Sequence, residues 1–219
     1  MTRALVIGAT GGIGRALCGA LTDRGAEVTG LSRANGLDIT DEPSILRSLQ
    51  ALEGSFDQIL IATGALEIAG MGPEKTLRAL DPAALAAQFA LNATGPALVL
   101  KHALQLMPRD RRCTFAALSA RVGSIGDNRL GGWYAYRASK AALNQLIHTA
   151  AIEIARSHRH AVVTVIHPGT VATRFTEGYP GHTSVPPATA AAHILDVLDS
   201  LTPADSGGFF DWAGKPVAW

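Results

Sequence analysis

A chain of 219 residues, 47% apolar and 17% charged, has the composition of one globular domain spanning residues 1–219 with enough chain to bury a core, which excludes a disordered chain. A formal net charge of +1 argues against a nucleic-acid partner. Two cysteines, Cys18 and Cys113, make no disulfide framework and no zinc pattern, so reduced buried thiols, no metal site and a cytoplasmic location are expected.

The first candidate strand is Ala4–Ile7. Its apolar run stops at once in glycine, too short for an export signal, and no window approaches the roughly 18 apolar residues of a membrane span, so no membrane partner is expected. Gly8-Ala9-Thr10-Gly11-Gly12-Ile13-Gly14 then opens a helix over Gly12–Arg24. Glycine lets the chain turn tightly and lets backbone approach a ligand closely. The helix start adds N–H groups and a positive dipole end, which suit a dinucleotide pyrophosphate. Gly8, Thr10, Gly12, Ile13 and Gly14 are the candidate binding positions of this loop.

A second strand, Glu27–Leu31, ends in Ser32-Arg33. A carboxylate there would take a ribose 2′-hydroxyl, whereas a cation takes a 2′-phosphate. A hydroxyl beside a forked guanidinium favours NADP(H) over NAD(H). A further strand is expected at Gly36–Asp38, although the four-residue link Ser32-Arg33-Ala34-Asn35 is too short for a crossover between parallel neighbours. Helix Pro43–Leu52 follows Asp41-Glu42, with Pro43 suited to a first turn. Then come strand Gln58–Ala62, a long helix from Asp81-Pro82 to about Leu106, and strand Thr114–Leu118. The longest helix, Trp133–Ser157, ends near a solvated His158-Arg159-His160. Strand Val162–His167, helix Pro187–Leu201 and a weak strand Gly208–Phe210 complete the chain. Strands rich in Val, Ile and Leu without polar alternation are buried on both faces. The expected fold is therefore α/β: a Rossmann-like doubly wound parallel sheet of about seven strands with helices on both faces.

Tyr136-Arg137-Ala138-Ser139-Lys140 places a phenol and an ammonium one helical turn apart on one face. An ammonium nearby favours the phenolate and lowers the phenol from its ordinary value near 10. Such a tyrosine exchanges a proton with a carbonyl or alcohol oxygen near neutral pH. Tyr134 cannot share that face.

The loop Gly8-x-x-x-Gly12-x-Gly14 and the run Tyr136-Arg137-Ala138-Ser139-Lys140-Ala141-Ala142 together resemble the short-chain dehydrogenase/reductase (SDR) family, whose patterns are TGxxxGxG and YxASKAA. Ile7 stands where the first pattern has Thr. The resemblance covers essentially the whole chain, and Ser119–Lys140 looks like the C-factor-like branch. It implies further roles. Asp38 and Ile39 would face adenine, Ala62 and Gly64 would line the cofactor, and Lys140 would bind the nicotinamide ribose. Asn92 would hold a water in a proton relay, with a polar residue at a helix kink as the plainer reading. Pro168, Gly169, Val171 and Thr173 would face the nicotinamide amide and the phosphates. The family's catalytic serine falls on Ala120, so Ser119 is taken as the donor to the reacting oxygen, with Ser124 or neither as the alternatives. The segment 174–187 would line the substrate mouth, and the long helices would pair in a homodimer or homotetramer.

The leading function is an NAD(P)(H)-dependent oxidoreductase that reduces a small carbonyl compound with NADPH, or oxidises the alcohol in reverse. The alternative, kept open by Ala120, is a cofactor-binding regulatory or signalling protein with little turnover. No GxSxG elbow or P-loop lysine motif supports a hydrolase.

Overall fold

A computed structural model of the chain describes residues 1–178 and 183–219. Six strands lie among the described residues: β1 (Arg3–Ile7), β2 (Glu27–Leu31), β3 (Gln58–Ile61), β4 (Cys113–Leu118), β5 (Ala161–His167) and β6 (Phe209–Asp211). All pair in parallel, in the order β2-β1-β3-β4-β5-β6. Alternation along β1 divides the core. Leu5 and Ile7 join one apolar cluster, whereas Ala4 and Val6 join the other. Helices α1 (Gly12–Asp23) and α6 (Pro187–Ser200) cover the second cluster through Leu17, Leu21, Ile194 and Leu198. Helices α2 (Glu42–Gln50), α3 (Pro82–Phe89), α4 (Gly95–Ala103) and α5 (Tyr134–Ile154) lie on the other face, where Ile45, Leu49, Val99, Leu143 and Ile147 enter the first cluster. A sheet covered on both faces explains why the strands read as unbroken apolar runs.

The expected strand Gly36–Asp38 does not form, which lowers the strand number from about seven to six. Instead the Ser32 hydroxyl accepts the Ala34 N–H at the start of a short 3-10 turn, Arg33–Asn35, and Gly36 reverses the chain at φ 91°. Leu37 and Ile39 still bury their side chains in the core, so the apolar signal was real but belonged to a loop. The last strand begins one residue later than expected, at Phe209.

The helix over Pro82–Leu106 is not uniform. Asp81 caps α3 by accepting the Ala84 N–H at 2.8 Å, and a π-turn at Ala90–Thr94 leads into α4. At Gly95 a Cβ would stand 2.7 Å from the Ile39 carbonyl oxygen, so this helix passes a neighbouring loop at a distance only glycine allows. Contrary to the sequence expectation, this 25-residue stretch, with hydropathy 1.4, is long and apolar enough to cross a membrane. Its Ala93, Val99, Leu100, Ala103 and Leu106 pack instead into the protein's own core. Two smaller expectations also change. Cys113 is buried but Cys18 is partly exposed, both as free thiols, and His158 is only 2% exposed rather than solvated.

Candidate active site

The sheet order places β1 between β2 and β3, so the crossovers run outward on either side of β1 and open a crevice at the carboxyl ends of the strands. The glycine loop leaves β1 at that edge. Gly8, at φ 88°, donates its N–H to the Leu31 carbonyl at 2.8 Å. A Cβ at Gly14 would stand 2.1 Å from the Gly8 carbonyl oxygen, and one at Gly12 would stand 2.5 Å from the Thr173 methyl. Backbone therefore excludes any side chain at Gly14, and Gly12 packs closely on the Thr173 side chain. Helix α1 has Gly11 as N-cap and no side-chain cap. Its first N–H groups are open to an anion, which fits a dinucleotide phosphate. The Thr63 hydroxyl, buried beside Gly8, has no partner among the described residues, a second sign of a polar ligand at this edge.

On the adenosine side, Ser32 is buried as the cap of its 3-10 turn, whereas Arg33 is exposed. Asp38 accepts the Thr40 N–H at 2.8 Å and hydroxyl at 2.7 Å, and these bonds hold its carboxyl below the usual carboxylate range. On the opposite side, Pro168 and Val171 are buried and Gly169 takes φ 79° against the Trp212 ring. The loop Pro168–Thr173 thus folds onto the glycine loop through Thr173.

Tyr136 and Lys140 share the inner face of α5 and are 5% and 3% exposed. The Tyr136 ring meets Trp133 edge-on and tilts against Phe175, with centroids 6.3 Å and 6.0 Å away. Lys140 Nζ donates to the Leu118 carbonyl at 2.9 Å and lies 6.0 Å from the Tyr136 ring centroid. Gly64 brings Asn92 and Lys140 together: a Cβ there would stand 3.0 Å from Asn92 Oδ1 and 3.4 Å from Lys140 Nζ. Tyr134, by contrast, is exposed.

The expected acidic phenol is not present in this state of the chain. Burial pushes the Tyr136 phenol up and the Lys140 ammonium down, to about 7. Desolvation causes both shifts, since burial disfavours the charged form of each group.

Ala120 presents no hydroxyl. Ser119, its neighbour, is buried and donates to Asn144 Oδ1 at 2.6 Å. Asn144 stands two turns beyond Tyr136, about 12 Å along the helix, so the Ser119 proton is committed away from the phenol. Ser124 is 1% exposed and accepts the Asp127 N–H at 3.0 Å. Among the described residues no acceptor takes its proton. Asn92 sits in the π-turn, fully buried. Its amide donates to the Ala65 carbonyl and to Gln88 Oε1, and its oxygen accepts the Ala65 N–H at 3.1 Å. Of the expected substrate segment 174–187, residues 179–182 lie outside the described residues.

Sequence reasoning missed Glu74, a buried carboxylate that accepts the Ala135 N–H at 3.1 Å, together with Asn144 and the Leu118 carbonyl. No motif marks any of them.

A crevice with a glycine-built phosphate loop on one side and a buried Tyr/Lys pair on the other defines a nicotinamide-dinucleotide oxidoreductase of the SDR class. A family model described as Enoyl-(Acyl carrier protein) reductase matches residues 29–208. Over its whole length the chain is 31% identical to 1-hydroxy-2-glutathionyl-2-methyl-3-butene dehydrogenase of Rhodococcus sp. (strain AD45), covering 100% of both chains. It is 36% identical to the C-signal protein of Myxococcus xanthus over 64% of this chain and 81% of that one. Among solved structures, a short-chain dehydrogenase/reductase from Burkholderia multivorans with bound NADP superposes with a TM-score of 0.84 at 27% identity, covering 100% and 99% of the two chains. The chain belongs to the short-chain dehydrogenase/reductase family.

Proposed function

We propose that this protein is an NADP(H)-dependent reductase of a small carbonyl compound, or the dehydrogenase of the corresponding alcohol, with Tyr136 as the acid–base group. The observation that carries this reading is the burial of Tyr136 and Lys140 on one face of α5, at the edge where the glycine loop opens. The Burkholderia relative's NADP and the exposed Arg33 support the phosphorylated cofactor.

When bound, the dinucleotide supplies the hydride. The chain's own residues hold it and move the proton. Gly8, Thr10, Gly12, Ile13 and Gly14 hold the pyrophosphate, and Ser32 with Arg33 holds the 2′-phosphate. Asp38 and Ile39 flank adenine, while Ala62 and Gly64 line the path between. Pro168, Gly169, Val171 and Thr173 face the nicotinamide end. Lys140 orients the ribose, and Tyr136 gives its proton to the developing alkoxide or takes it from the alcohol. Asn92, beside Lys140 at Gly64, holds a water in the proton relay to the lysine. Ser124, whose proton is uncommitted, suits the donor role better than Ser119. The protein is read as one domain, cytoplasmic, a homodimer or homotetramer, with segment 174–187 over the substrate and no nucleic-acid or membrane partner.

The test is a titration with NADPH and NADH, followed by cofactor oxidation with a panel of aldehydes and ketones. Tighter NADPH binding and turnover of at least one carbonyl are expected. Binding of neither dinucleotide would overturn the reading, and so would binding without turnover across the panel.

A further inference from the structure

Helix α5 begins without a cap of its own. The side chain of its N-cap residue, Trp133, does not cap the helix, and the residue holds a left-handed conformation, φ 54° and ψ 43°. That region is unfavourable for a bulky side chain, so contacts from elsewhere in the chain matter at this helix start. The first-turn N–H groups of a helix also need partners once buried.

Glu74 meets both needs. It lies in the loop between β3 and α3, is 7% exposed, and touches the start of α5 at two points. Its backbone carbonyl accepts the Trp133 N–H, and its carboxylate Oε2 accepts the Ala135 N–H at 3.1 Å. Tyr136 is the next residue. A carboxylate at this end is also favoured by the helix dipole. Glu74, Gln88, Ala135 and Tyr136 line one cavity of about 10 Å³, together with Ile68 and Met71. That is room for one water and not for a substrate.

We infer that Glu74 is a positioning residue for the reaction: by capping α5 from another part of the chain, it sets the first helical turn and with it the orientation of the Tyr136 ring. This rests on the reading of Tyr136 as the acid–base group. The acceptor matters more than the charge, because the contact is to a backbone N–H. Gln keeps an acceptor oxygen at the same reach, Asp withdraws it by one carbon, and Ala removes it.

The test uses the full chain labelled with 3-fluorotyrosine at its three tyrosines. The Tyr136 resonance is identified by its loss in Tyr136→Phe. Glu74→Ala and Glu74→Asp are expected to shift or broaden that resonance, and Glu74→Gln to leave it near its original position. With any carbonyl that the wild type reduces, Glu74→Ala should lower kcat by about 10- to 100-fold, the scale of an ångström-sized misplacement, with KM for NADPH unchanged, and Gln should restore most of the loss. An unmoved Tyr136 resonance in Glu74→Ala would overturn the inference, and so would a Gln variant as impaired as Ala. If Glu74→Ala does not fold, Glu74→Asp answers the same question. If the wild type turns over no carbonyl, the reading of the reaction fails, yet the fluorine signal still decides whether Glu74 places the ring.

Discussion

Replacing Lys140 by Met, a side chain of similar length without charge, is expected to stabilise the protein while abolishing turnover. Burial takes the Lys140 ammonium from its ordinary 10.5 to about 7, a gap worth on the order of 5 kcal/mol. The folded chain releases this proton above pH about 7, whereas the unfolded chain keeps it until about 10.5. Between those limits the unfolded state binds more protons, so stability rises with pH. The burden is full below the folded value and gone above the unfolded one. Methionine deletes it but gives up the hydrogen bond to the Leu118 carbonyl, which costs about 1–3 kcal/mol. The net gain near neutral and lower pH is about 2–4 kcal/mol, or about 4–16 °C in Tm for a domain of this size. Thermal melts without added dinucleotide, from slightly acid to alkaline pH, measure both features. The wild-type Tm should climb with pH, cross that of Lys140→Met, and end above it at the alkaline end, where only the lost hydrogen bond to the Leu118 carbonyl separates the two. A variant that melts below the wild type in weak acid would refute the reasoning, as would an equal climb in both proteins.

Other outcomes follow from the same geometry. Tyr136→Phe should lower kcat by at least about 100-fold, with NADPH affinity unchanged by fluorescence titration; normal turnover would remove Tyr136 from the chemistry. Arg33→Ala should weaken NADPH binding by about 10- to 100-fold, the worth of a charge-assisted hydrogen bond, and leave NADH binding alone; equal losses for both would place Arg33 elsewhere. Ala120→Ser restores a hydroxyl where the family pattern has one; with Ser124 already the donor, steady-state rates should stay within a few-fold. A rise in kcat toward the roughly 100-fold that one preorganised donor supplies would mean that Ser124 does not reach the reacting oxygen.

Much of this molecule was legible in local sequence. The glycine loop, the Tyr/Lys spacing and five of the strands carry short-range signals, because each depends on neighbours in the chain or on two-faced burial. Gly36–Asp38 misled for the same reason. Leu37 and Ile39 bury as a strand's residues would, but Ser32 and Gly36 shape a loop that no ladder joins. The hydropathy of Pro82–Leu106 could not tell a core helix from a spanning one, since both bury apolar side chains. Contacts between distant segments left no sequence signature. Ser119 is turned by Asn144, 25 residues on, and α5 is capped by Glu74, 61 residues before Ala135. The direction of the Tyr136 shift was also hidden, because spacing reveals the ammonium but not the loss of water around both groups.

That loss of water changes how the pair must work. Tyr136 is held through α5's first turn and by the rings of Trp133 and Phe175, whereas Lys140 is tied to the last residue of β4. Each side chain therefore has its own anchor, and their alignment does not depend on an ion pair between them. Burial raises the Tyr136 phenol and lowers the Lys140 ammonium to about 7. The amine stands 6.0 Å from the ring centroid, too far for a direct contact with the ring atoms. Burial therefore works against the phenolate at Tyr136 and against the ammonium at Lys140 alike, and what the fold fixes for the pair is position.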